Sequence, residues 1–60
     1  MDTIHKALYA VDHFQMTRKQ QLWGDVYRCA FYRWKASNYQ SEGDYITMAA
    51  ALGLGDRFWE

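Results

Sequence analysis

The chain has 60 residues, with seven basic and seven acidic side chains, one cysteine, no proline and 18% aromatics. A chain this short buries only about 60% of the surface its unfolded form exposes, so one small domain with a marginal core is all it can hold. Zero net charge argues against a general nucleic-acid coater, one cysteine excludes an internal disulfide, and the absence of a Cys/His cluster leaves no metal clip or implied cofactor.

The N-terminus, Met1 to Lys6, lacks the basic start and apolar centre of a signal peptide. A single free thiol suits a reducing compartment, so the cytoplasm is the expected location. No apolar run approaches the roughly 20 residues that span a bilayer, so no transmembrane segment is expected. The first helix is predicted over residues 3–15, capped by Asp2 or Thr3. Ile4, Ala7, Leu8, Val11 and Phe14 recur at helical spacing on one face. His5, Lys6, Tyr9, Asp12 and His13 fall opposite. His5 and His13 are two turns apart, roughly 12 Å along the axis. That separation is too wide for one metal, so they read as solvated surface groups.

The second helix is predicted over residues 18–36. Thr17-Arg18-Lys19-Gln20 has the capping-box pattern, in which hydroxyl and amide satisfy each other's free backbone N–H groups. Its apolar face carries Leu22, Trp23, Val26, Tyr27, Ala30, Phe31 and Trp34, with Cys29 on the edge as a packed thiol. Gln21, Asp25, Arg28, Tyr32 and Lys35 lie opposite. Gly24 costs about 1 kcal/mol in a helix relative to alanine, and its place on the border permits close approach of another element or loosens the helix. Only Gln15, Met16 and Thr17 separate the first two helices, so one long arm is the alternative topology.

Ser37 to Gln40 reads as a loop. A third helix is predicted over residues 42–53, with Ser41-Glu42-Gly43-Asp44 as its N-terminal cap. Tyr45, Met48, Ala49 and Leu52 form its apolar stripe, and Gly53 is the expected left-handed stop. The tail 54–60 holds Phe58 and Trp59, expected to fold back over the first helix, with protrusion as an anchor as the alternative. The fold class is all-α in a single domain, a small three-helix bundle or a hairpin plus a third helix, with self-association available to complete the core.

The densest signal is Tyr27-Arg28-Cys29-Ala30-Phe31-Tyr32-Arg33-Trp34-Lys35, which holds four rings and three cations. A purely structural reading makes it a core stripe plus a solvated face. The apolar arc spans nearly half the helix, however, which is more than one neighbouring helix covers. Trp, Tyr and Arg are also the residue types that dominate interface hot spots. The expected contact residues are therefore Trp23, Tyr27, Arg28, Phe31, Tyr32, Arg33, Trp34 and Lys35, joined by Trp59 from the tail. The sequence offers no phosphate loop, paired-carboxylate motif or nucleophile elbow, so the expectation is not an enzyme. It is a small non-catalytic module that binds a larger protein, or a second copy of itself, and modulates or inhibits it. Compact, proline-free chains of this kind are, by analogy, common among phage and mobile-element regulators.

Thr47-Met48-Ala49-Ala50-Ala51-Leu52-Gly53-Leu54 resembles the first helix and turn of a helix-turn-helix, with Ala49 as the small residue and Gly53 as the turn glycine. Trp59 matches the later apolar position. The resemblance implies a nucleic-acid-associated regulator, the alternative function, with Arg28, Tyr32, Arg33 and Lys35 as its basic patch. The segment left for a recognition helix, Gly55 to Glu60, carries two acids and one arginine, a poor set for a major groove. A membrane-surface helix over 18–35 is a third reading, weakened by mixed charges and Gly24.

Overall fold

The computed structural model describes residues 2–54. It is all-α, with three helices in chain order: α1 (Thr3–His13), α2 (Arg18–Ala36) and α3 (Glu42–Leu54). The central helix is α2, which packs against both others and most extensively against α3.

The starts of α1 and α2 are set by local hydrogen bonds. The Asp2 carboxylate accepts from the His5 N–H at 2.8 Å and caps α1. At Thr17 the capping box forms in both directions: the Gln20 N–H donates to the Thr17 hydroxyl at 3.2 Å, and the Thr17 N–H donates to the Gln20 side-chain oxygen at 2.9 Å. Helix α1 stops at His13, two residues short of the expected end, because the chain must reverse before Thr17. Phe14 is therefore extended, with φ −101° and ψ 145°. It leaves the apolar face assigned to it and stands 50% exposed, its ring edge-on to Tyr9 at 5.5 Å.

The buried set is Ala7 and Ala10 from α1, Gly24, Tyr27, Ala30 and Phe31 from α2, and Met48 and Ala51 from α3. Alanines at the contacts let the helix axes approach closely. Gly24 carries this furthest: a Cβ there would lie 3.1 Å from Val11 Cγ2 and 3.2 Å from Met16 Cε. Of the two roles the sequence allows it, close approach is the one realised. Tyr27 crosses the interior, and its hydroxyl donates to the Ile4 carbonyl of α1 at 2.8 Å. Burial pushes the Tyr27 phenol well above the usual tyrosine value, with a smaller contribution from the Asp2 carboxylate.

So small a core leaves apolar groups outside. Leu22, assigned to the apolar face of α2, is 63% exposed because neither neighbouring helix covers it. Cys29, expected to pack, is exposed as well. The stripe of α3 is rotated from its expected position: Met48 and Ala51 point inward, whereas Ala49 is exposed and Tyr45 half-exposed. Gly53 does not stop α3, which runs on to Leu54, and no described glycine has a positive φ.

Candidate functional site

The aromatic–basic run of α2 ends at a turn held by several independent hydrogen bonds. The chain leaves α2 through a Schellman motif: the Tyr39 N–H donates to the Trp34 carbonyl at 3.0 Å, and the Asn38 N–H to the Lys35 carbonyl at 3.0 Å. Ser37 reinforces it, since its hydroxyl donates to the Trp34 carbonyl at 2.6 Å and accepts from the Gln40 and Ser41 N–H groups at 3.2 and 2.9 Å. Asn38 and Tyr39 both sit at φ 63°. Left-handed backbone is tolerated by asparagine better than by most other non-glycine residues, but it is strained for a bulky tyrosine. The apolar contact that accompanies this motif is also present, as the Trp34 and Tyr39 rings meet at 4.9 Å and 75°.

Tyr45, on the first turns of α3, brings a third ring within 5.7 Å of Trp34. The three rings, with Gln40, Ser41, Glu42 and Ile46, line an open cleft of about 440 Å³. Tyr39, Tyr45 and Ile46 are 54%, 49% and 65% exposed, and Trp34 is partly buried against the core. Ser41 precedes α3 as expected; its carbonyl accepts from the Tyr45 N–H at 3.1 Å, and its hydroxyl donates to Asp44 at 2.8 Å.

The expected contact residues within the described region divide into four groups. Tyr27 and Phe31 are core, not interface: Tyr27 is fully buried and Phe31 nearly so, because both other helices close over that face. Trp23 and Trp34 are partly buried and pack on the core edge. Tyr32, Arg33 and Lys35 are exposed. Arg28 is bound within the molecule, donating to Asp12 at 3.2 Å and Asp25 at 3.1 Å, so it ties α1 to α2. Arg33 Nε lies 3.6 Å from Asp44 of α3. Trp59, with Phe58 and the rest of the tail after Leu54, lies outside the described residues.

Sequence reasoning missed Tyr39, Tyr45 and Glu42. The spacing of Trp34 and Tyr39, five apart across an Asn in the first left-handed position, was the available signal, since it is the pattern a Schellman motif with its apolar contact leaves in a sequence.

Each histidine is engaged near its own helix terminus, and the His5 ring also meets Phe31 of α2 edge-on at 6.0 Å. His5 Nδ1 lies 2.9 Å from the Asp2 carboxylate, which its two contacts hold below the usual aspartate range. His13 stacks on Tyr9 at 4.1 Å, with Nδ1 3.1 Å from the Tyr9 carbonyl. No group of three metal-ligating side chains occurs among the described residues, and no described helix is long and apolar enough to cross a membrane. The segment resembling a helix-turn-helix lies within the single helix α3; the expected turn glycine Gly53 is helical, and the would-be recognition helix lies outside the described residues. Comparison with known protein families, curated proteins and solved structures finds no match.

Proposed function

We propose that this chain is a small non-catalytic protein-interaction module that binds a larger protein and modulates or inhibits it by occupying its surface. The observation that supports this reading is the cleft of Trp34, Tyr39 and Tyr45 at the α2–α3 turn, beside exposed Tyr32, Arg33 and Lys35. Rings held by a rigid turn lose little freedom on binding, and Trp and Tyr are the side chains that contribute most to interfaces. The contact surface is accordingly the C-terminal end of α2 and the turn, without Tyr27 and Phe31. The scatter of the titratable groups fits a non-catalytic role: each histidine is engaged within its own helix terminus, and Arg28 is shared between two acids.

The test is capture from host lysate by the tagged chain, with and without nuclease, alongside the Trp34→Ala variant. One stoichiometric protein that survives nuclease is expected. Trp34→Ala should weaken its binding by at least about 2 kcal/mol, roughly thirtyfold. A variant that melts lower yet binds as well would make Trp34 a core residue and move the contact to Tyr32. Capture lost on nuclease treatment would instead favour nucleic-acid association through Tyr32, Arg33 and Lys35. Such binding would weaken steeply with salt, whereas an aromatic protein interface would not.

A further inference from the structure

We infer that the cleft at the α2–α3 turn is a receptor for an arginine side chain presented by the partner protein; this rests on, and narrows, the reading of the chain as a protein-binding module. Three features carry it. First, Tyr39 and Tyr45 are inclined to Trp34 at 75° and 55°, so neither lies flat against it and the rings form walls rather than a closed stack. Ring faces that remain half-open to solvent attract a cation through their quadrupoles, and arginine most often fills that role. Second, the cleft is lined on the α3 side by Glu42, whose exposed carboxylate makes no ion pair among the described residues. The backbone N–H groups that open α3 oppose a cation there, and the Glu42 carboxylate in that first turn offsets them, Asp44 being engaged by Ser41 and Arg33. A guanidinium is the cation whose flat face stacks on a ring while its edge pairs with a carboxylate; an ammonium is drawn to the ring face too but has neither the plane nor the fork of donors.

Third, the cleft exists because Tyr39 is held in a conformation its side chain disfavours. A φ of 63° at a tyrosine is maintained by the two Schellman hydrogen bonds, the Ser37 hydroxyl and the Trp34 ring together. Glycine would close the same turn without strain, and what tyrosine adds is the wall of the cleft.

The experiment is a titration of the full, isotope-labelled chain with the peptide acetyl-Gly-Gly-Arg-Gly-Gly-amide, followed by NMR. Saturable shifts are expected at the Trp34 indole N–H and at the Tyr39 and Tyr45 rings. The citrulline peptide, which keeps the shape but loses the charge, should bind at least about tenfold more weakly, and the lysine peptide should also be weaker. Glu42→Gln, on the surface, should lower affinity about fivefold. Tyr39→Gly should do the same while the turn stays formed, because glycine adopts φ 63° freely. Equal binding of the citrulline or lysine peptide, shifts that map elsewhere, or no response would overturn the inference. If the intact chain still captures one protein while the arginine peptide fails, the cleft assignment falls and the module reading stands. Arginine binding without any captured protein would keep the cleft as an arginine site and remove the module reading.

Discussion

Tyr27→Phe tests the centre of the fold with one atom. The Tyr27 hydroxyl donates to the Ile4 carbonyl at 2.8 Å from a fully buried ring. Phenylalanine keeps the ring and its packing and removes that bond. The Ile4 carbonyl is also the helical acceptor for the N–H four residues on, so this acceptor keeps a partner. The loss at neutral pH should therefore be about 1 kcal/mol, the net value of a neutral hydrogen bond, and not the larger penalty of a buried unsatisfied group. For a domain this small that is a fall of about 4–8 °C in Tm.

The same hydroxyl makes a second, opposite prediction at high pH. Burial raises the folded phenol above its unfolded value of 10.0. Above that pH the unfolded chain gives up this proton and the folded chain keeps it. Stability is thus intact below about pH 10 and declines by roughly 1.4 kcal/mol per pH unit above it. The Tyr27→Phe variant carries no such contribution, and the other titrating groups cancel between the two proteins. The advantage of the parent chain should vanish near about pH 11 and then reverse. Urea denaturation followed by circular dichroism from neutral to alkaline pH measures both effects. Equal stability at neutral pH, or two stability curves that stay parallel through the alkaline range, would show that Tyr27 is not buried against α1 in solution.

Gly24→Ala sets a helix-propensity gain of about 1 kcal/mol against a Cβ 3.1 Å from Val11, a stiff β-branched side chain on α1. Overpacking of this kind costs about 1–3 kcal/mol, so a net loss of about 1 kcal/mol is expected in urea denaturation, relieved when Val11→Ala is added; a stabilised single variant would refute the close contact. Arg28→Ala should cost about 0.5–1 kcal/mol and lose sensitivity to salt, because Arg28 joins Asp12 to Asp25. Lys35→Ala should stay within about 0.5 kcal/mol of the parent, and identical behaviour of the two variants in thermal melts would show that the α1–α2 bridge contributes nothing. Asn38→Gly should raise stability by up to about 1 kcal/mol, since φ 63° suits glycine best; a lowered Tm would mean the turn is not left-handed at that residue.

Much of the architecture was legible in the residues themselves, because local rules act over three or four positions. The Thr17–Gln20 capping box formed as its spacing predicted, and the three helical segments emerged within two residues of their expected ends. The proposal that residues 27–35 take part in binding also started from the sequence, where four rings and three cations stand within nine positions.

The tertiary structure decided which of those rings are spent on the fold. Periodicity places Leu22, Tyr27, Phe31 and Trp34 on one arc, but it does not say how much of that arc two neighbouring helices cover. Packing through alanines and Gly24 draws α1 and α3 over Tyr27 and Phe31, and leaves Trp34 at the edge and Leu22 outside. It also couples Arg28 to Asp12, sixteen positions away, a pairing no local rule foresees. The cleft itself joins Trp34 at the end of one helix to Tyr45 on the next through a left-handed turn without glycine. A tyrosine in a conformation its side chain disfavours is maintained only by the sum of several tertiary and capping contacts, and that sum is not written in any one stretch of the chain.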